Sequence, residues 1–139
     1  DNQAPLPLGD LRLAPTICYE DAYGAEQLGF LPASNLLINV SNDAWFGGSI
    51  APHQHLQIAR MRALETGRFM LRATNTGITA IISPRGEIAA RSPQFRTHVL
   101  NGIVQPHAGA TPYVRFGDAP GLLICTLLVA GFFLRQRFG

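Results

Sequence analysis

Leu36-Leu37-Ile38-Asn39-Val40 runs directly into Ser41-Asn42-Asp43. A short, nearly unbroken apolar run closed by a polar turn is the pattern of a strand covered on both faces, as in a parallel sheet. Upstream, Leu11–Ile17 alternates weakly and reads as a strand that ends at Cys18-Tyr19-Glu20-Asp21. Between the two, Glu20–Leu31 carries Ala22, Ala25, Leu28 and Phe30 and is stopped by Pro32, which gives a short helix. Downstream, Pro52–Thr66 is the best helix in the chain. Pro52 suits its first turn and Gly67 its end. Leu56, Ile58, Ala59, Met61, Ala63 and Leu64 give it a broad apolar face. Phe69–Ala73 and Ile78–Ile82 read as strands on either side of Asn75-Thr76-Gly77. Pro84-Arg85-Gly86 then turns the chain into Ile88–Ala90, so 78–90 reads as a hairpin. Val99–Val104 reads as a further strand, and the Pro- and Gly-rich residues 1–9 read as a loop. The order strand, helix, strand, helix, strands is that of an α/β layered domain.

The chain of 139 residues is 47% hydrophobic and only 14% charged, against roughly 25% charged in soluble domains. Net charge is +2 with no basic run before the last few residues, which argues against nucleic acid as a partner. All 11 basic residues are arginine, so no step that needs a lysine can be completed by this polypeptide alone. The charge deficit suggests a chain partly solvated by something other than water. Pro120–Leu134 carries no charge and has no polar face. As a helix it spans about 22 Å, and with its flanks it approaches the length needed to cross a hydrocarbon core of about 30 Å. Tyr113 and Phe116 precede it as interface residues, and Arg135-Gln136-Arg137 follows it. The positive-inside tendency places the Arg-rich end in the cytoplasm and the rest of the chain on the other side. The competing reading is a buried C-terminal helix. Cys125 lies within this segment, so a disulfide to Cys18 is not expected and both cysteines read as free thiols.

Four clusters could carry chemistry. Cys18 ends a strand and is followed by an aromatic and two carboxylates, a setting that fixes and exposes a nucleophilic thiol; a packed structural cysteine is the alternative. No histidine or lysine lies near it in sequence, so an activating partner would have to come from elsewhere in the fold. Asn39–Gly47 also begins at a strand end, and adjacent parallel strands would bring it beside Cys18. Its Trp45 reads either as a packing aromatic or as a pocket wall. His53 and His55, two apart at a helix start, point to different sides and do not form a metal site; they read as capping and packing residues. Arg72-Ala73-Thr74-Asn75-Thr76-Gly77 reads either as a pocket edge or as a turn serving backbone needs.

Together, Ile17-Cys18-Tyr19-Glu20, Ser41-Asn42-Asp43-Ala44-Trp45-Phe46-Gly47, Pro52-His53-Gln54-His55, Arg60-Met61-Arg62-Ala63-Leu64-Glu65 and Arg72-Ala73-Thr74-Asn75-Thr76-Gly77 with Thr79-Ala80 resemble one family. So do Thr111-Pro112-Tyr113 and Arg115-Phe116-Gly117 before the apolar tail. The resemblance is to the apolipoprotein N-acyltransferases, membrane members of the nitrilase superfamily of carbon-nitrogen hydrolases. It implies an α/β fold in which residues 1–118 are the C-terminal portion of a nitrilase-like αββα sandwich. Residues 119–139 are then one transmembrane helix with a short basic tail. It implies a bacterial inner-membrane protein whose catalytic part is periplasmic and whose C-terminus is cytoplasmic. It implies a Glu-Lys-Cys triad with Cys18 as nucleophile, and Tyr19, Glu20, Asn42, Trp45 and Phe46 as pocket or supporting residues. The partners implied are a phospholipid acyl donor and a diacylglyceryl apolipoprotein acceptor, joined through a cysteine thioester, with no cofactor and no metal. The family's glutamate and lysine precede its cysteine, and residues 1–17 contain neither. The expectation is therefore a C-terminal portion that is inactive alone. An amidase or nitrilase type of carbon-nitrogen hydrolase is the alternative, against which the apolar tail speaks; a membrane-anchored remnant without activity is a third.

Overall fold

The structure, a computed structural model, describes residues 4–29 and 31–138. Six strands lie side by side in chain order: β1 (Leu6–Leu8), β2 (Leu11–Ile17), β3 (Leu36–Ser41), β4 (Met70–Thr74), β5 (Ala80–Ile82) and β6 (Ile88–Arg91). β2, β3 and β4 are parallel, and the other pairs are antiparallel. The helices are α1 (Gly24–Gln27), α2 (Ala51–Thr66), α3 (Pro112–Phe116) and α4 (Ala119–Phe138). This is the expected mixed α/β architecture, with its parallel centre, α2 crossover and Ser83–Gly86 turn.

Helix α2 forms where the sequence places it. Pro52 sits in its first turn, and Gly67 ends it in the left-handed region at φ 65°. One face of the sheet, through Ala14, Leu37, Met70, Ala80 and Ile82, packs on Leu56, Ala59 and Ala63 of α2. The two alanines let the helix lie close to the strands. The buried stripe is narrower than expected, because Met61 and Leu64 remain half exposed. The other sheet face presents Ile38, Leu71 and Ile81, which line a cavity of about 350 Å³ together with Leu100 and Val104.

Four expectations are corrected. Residues 6–8 are strand β1, paired with β2; Pro7 is tolerated because this is a sheet edge that needs no N–H from it. The helix expected over Glu20–Leu31 is broken into a 3-10 turn at Cys18–Ala22, the single turn of α1, and a 3-10 turn at Leu31–Ala33. Tertiary contacts break it. Asp21 is drawn fully inside the domain, and Gly24 lies against Arg62 and the Tyr113 hydroxyl with no room for a Cβ. Phe30, assigned to that helix, lies outside the described residues, as do residues 1–3 of the expected loop and Gly139 of the tail. Val99–Val104 is not a strand. It crosses over the second sheet face, where Gly102 meets Ile81. Lastly, Val40 is 47% exposed, so β3 is covered on both faces only in its first half.

Buried Arg68 ties the connections together. Its guanidinium donates to the carbonyls of Leu31, Ser34, Thr66 and Gly109, and burial lowers its pKa. Beyond it, Thr111 caps α3 through Val114 N–H at 3.2 Å, and Val114 enters the core. This anchors the root of α4. Ala119–Arg137 of α4 has a mean hydropathy of 1.6 and no buried residue, and is long and apolar enough to cross a membrane. No described residue covers it.

Candidate active site

The parallel register assembles the site. Thr16, Asn39 and Arg72 are direct neighbours across β2, β3 and β4, and Ile17, Val40 and Ala73 form the next row. One step further, Cys18 leaves β2 beside Ser41. Cys18 adopts φ 53°, in the left-handed region. For a side chain other than glycine, such a conformation costs about 1–3 kcal/mol and persists only where the surroundings enforce it. Here they do. The Cys18 carbonyl accepts from Asn39 Nδ2 at 3.0 Å and lies 3.2 Å from His55 Nε2, which it shares with the Asp21 carboxylate. Glu20 folds back, and its Oε2 accepts from Ile17 N–H at 2.7 Å, closing the 3-10 turn.

The sulfur is held from the other side. Ser41 Oγ is 3.6 Å from Cys18 Sγ and 2.6 Å from Asp43 Oδ1. A hydroxyl has one proton, and the nearer, charged acceptor takes it. The Ser41 lone pairs then face the thiol.

Behind Cys18 lies a buried ionic cluster. His55 Nδ1 is 3.1 Å from Asp43 Oδ1, and its Nε2 is 3.1 Å from Asp21 Oδ1. Arg72 reaches Asp43 Oδ2 at 3.0 Å, Asp21 Oδ2 at 3.4 Å and Asn39 Oδ1 at 2.7 Å. Arg72, Asp21 and Asp43 are fully buried and His55 is 2% exposed. A neutral imidazole carries one N–H and would aim a lone pair at one carboxylate; the geometry requires the doubly protonated ring. Burial and the neighbouring Arg72 charge oppose that charge, but the Asp21 hydrogen bond and the two carboxylates outweigh them and raise the His55 pKa. Burial likewise opposes the Asp43 charge, but the Ser41 hydrogen bond, Arg72 and His55 outweigh it and lower the Asp43 pKa. Two cations and two carboxylates balance, as buried charges must. Arg72 Nε has no partner among the described residues.

The other sequence-derived residues fall in different places. Tyr19 and Phe46 come together, lining a cavity of about 340 Å³ with Ala51, Gln54, His55 and Ile58. Trp45, on the 3-10 turn Ala44–Phe46, is 86% exposed and is not among the walls of that cavity. Asn42 accepts from Asn75 Nδ2 at 2.6 Å and from Ala44 N–H at 3.2 Å, which ties the loop after β3 to the loop after β4. Gly77 on that second loop packs against the Asp43 carboxylate, where a Cβ would collide. His53 is exposed at the start of α2. His55 is not the helix-start packing residue expected of it but the centre of the ionic cluster. Both its nitrogens are committed to carboxylates, and no group of three or more His, Cys, Asp and Glu among the described residues is placed to hold a metal ion. Cys18 and Cys125 are both free thiols, the second exposed on α4.

Asp21, Asn39, Ser41, Asp43 and Arg72 carry the site alongside Cys18, and sequence reasoning gave none of them a role of its own. The available signal was a polar residue inside an apolar run, Asn39 within Leu36–Val40 and Arg72 within Phe69–Ala73. Such a residue, if buried, must find a partner.

Residues 3–113 match the carbon-nitrogen hydrolase family model. The chain is 56% identical over 125 residues to an apolipoprotein N-acyltransferase of Methylococcus capsulatus, covering 90% of this chain and 25% of that protein. It is 56% identical over 131 residues to one of Nitrosomonas europaea, covering 94% and 26%. The chain thus spans about a quarter of the length of these relatives. Among solved structures, the carbon-nitrogen hydrolase from Helicobacter pylori G27 superposes with a TM-score of 0.56 at 14% identity, over 64% of this chain and 39% of that one, a likeness of fold alone.

Proposed function

The chain belongs to the carbon-nitrogen hydrolase family, and from that membership we propose that it is the cysteine-bearing part of an N-acyltransferase of bacterial lipoproteins. Cys18 attacks the ester carbonyl of a phospholipid, a thioester forms and a lysophospholipid leaves. The α-amino group of a diacylglyceryl-cysteine then attacks the thioester, forming the amide and releasing the thiol. Tyr19 and Phe46 wall the adjoining cavity, Glu20 and Asn42 hold the turns around the sulfur, and exposed Trp45 meets the lipid substrates. The glutamate base and the oxyanion-stabilising lysine of the triad come from residues other than these 139, which contain no lysine.

One observation separates this reading from an amidase with the same cysteine turn. The polypeptide that carries Cys18 continues into α4, which is uncharged from Ala119 to Leu134 and covered by no described residue. A hydrolase of small soluble amides has no use for such a helix, whereas two lipid-anchored substrates require the site to be held at a bilayer. Residues 1–118 are then the periplasmic catalytic portion, and α4 crosses the inner membrane with Arg135 and Arg137 at its cytoplasmic end.

The test supplies the full-length protein with phospholipid and a diacylglyceryl-cysteinyl peptide. The expected product is the N-acylated peptide with equimolar lysophospholipid; hydrolysis of simple amides without acyl transfer overturns the proposal. Topology is checked separately. A reporter fused after Gly139 is expected to read as cytoplasmic, and a periplasmic signal contradicts the orientation.

A further inference from the structure

The geometry points to a positioning device for Cys18 built from Asn39, Ser41, Asp43 and His55, which fixes the residue at its carbonyl and at its sulfur from one buried ionic cluster. The proposal rests on the reading of Cys18 as the nucleophile.

The cluster has two arms. The first ends on the main chain. Asn39 donates to the Cys18 carbonyl, and His55 Nε2, whose single N–H is shared with the Asp21 carboxylate, lies 3.2 Å from the same oxygen; together they hold the residue in its left-handed conformation. The second ends on the side chain. His55 and Arg72 hold the two oxygens of Asp43, Asp43 takes the Ser41 proton, and Ser41 faces Sγ at 3.6 Å. A strained backbone alone leaves the side chain free to rotate about Cα–Cβ, and a hydrogen bond from the thiol to Ser41 alone leaves the backbone free to relax. Gripping both removes both freedoms. The members lie 21 to 37 residues from Cys18 in sequence, yet they converge on it because Asn39 and Arg72 share a sheet row and α2 lays His55 across the strand ends. Every charged group of the cluster is spent within it: Asp21, Asp43 and Arg72 each face His55 or one another, and the Tyr19 ring packs 5.5 Å from the imidazole. The cluster therefore orients the thiol and does not itself take up its proton.

Ser41 separates positioning from folding, because it is a small side chain at a strand end. The full-length protein is labelled with [13Cβ]cysteine in a Cys125→Ala background, and Cys18→Ala identifies the Cys18 signal. Wild type is expected to give one narrow Cys18 resonance. Ser41→Ala is expected to broaden or split it and to lower kcat about 10- to 100-fold, the range that about 1 Å of misplacement produces. KM for phospholipid should stay within about twofold. Ser41→Thr, which keeps the hydroxyl, should restore both readouts. His55→Gln should have the larger effect, and if it fails to fold Ser41→Ala still decides. An unchanged resonance and unchanged kcat in Ser41→Ala overturn the proposal, as does a loss of activity that Ser41→Thr does not restore. The resonance needs no acyl substrate. If it broadens in Ser41→Ala while wild type transfers no acyl chain, the positioning device stands and the acyltransferase reading falls.

Discussion

Replacing Cys18 by alanine in the full-length protein is expected to abolish acyl-enzyme formation. Given phospholipid and no acceptor, the wild-type protein should accumulate an acyl group on the tryptic peptide that carries Cys18, readable by mass spectrometry and released by hydroxylamine. Cys18→Ala should show none, and acyl transfer should fall by several orders of magnitude, as when a nucleophile is removed from a working triad. Cys125→Ala should behave as wild type, because Cys125 lies exposed within helix α4, with no side-chain partner at its sulfur among the described residues. Cys18 alone has the left-handed backbone, the strand-end position and the hydroxyl beside its sulfur. Acyl groups on Cys125, or turnover surviving in Cys18→Ala, would remove Cys18 from the mechanism.

The second large effect is on stability. Arg72→Met leaves Asp21 and Asp43 buried with one cation between them. Removing one partner of a buried ionic group typically costs about 3–5 kcal/mol, a large share of the roughly 5–15 kcal/mol that holds a domain together. The exposed Arg85 serves as control, and Arg85→Met should change stability by no more than about 0.5 kcal/mol. Thermal unfolding of the two variants in detergent compares them directly, and equal melting temperatures would mean the cluster contributes nothing. The same cluster sets a pH dependence. The His55 pKa is raised above 6.5, so its contribution is complete below 6.5 and fades as pH rises through the folded-state value. The Asp43 pKa is lowered below 3.8, so its contribution is complete above 3.8 and fades as pH falls through the folded-state value. Stability is expected to be greatest between these limits, and His55→Gln should remove the decline on the alkaline side.

Much of this protein is local in origin and was legible from the sequence. Pro52 and Gly67 bound α2 because a proline needs no N–H in a first helical turn and a glycine accepts φ 65° at the end. Pro84-Arg85-Gly86 turns β5 into β6 for equally local reasons, and α4 from Ala119 to Leu134 is apolar on every side whatever precedes it. Cys18 could be placed at a strand end because the apolar run before it stops there. Other features depended on contacts between distant residues. Val99–Val104 has strand-like composition, but hydrogen bonding needs a partner edge and this segment lies across a sheet face instead. Glu20–Leu31 has helical composition, but Asp21 gains more from Arg72 and His55 than a helix turn would return. His55 reads in sequence as the second histidine of a helix start. Only the fold places a carboxylate from residue 21 and another from residue 43 against its two nitrogens. Hydrophobic period and turn chemistry act over a few residues, so sequence determines α2, the β5–β6 turn and the place of Cys18 at the end of β2. Charge pairing acts through space after burial has removed water, so tertiary structure alone decided which polar residues surround Cys18.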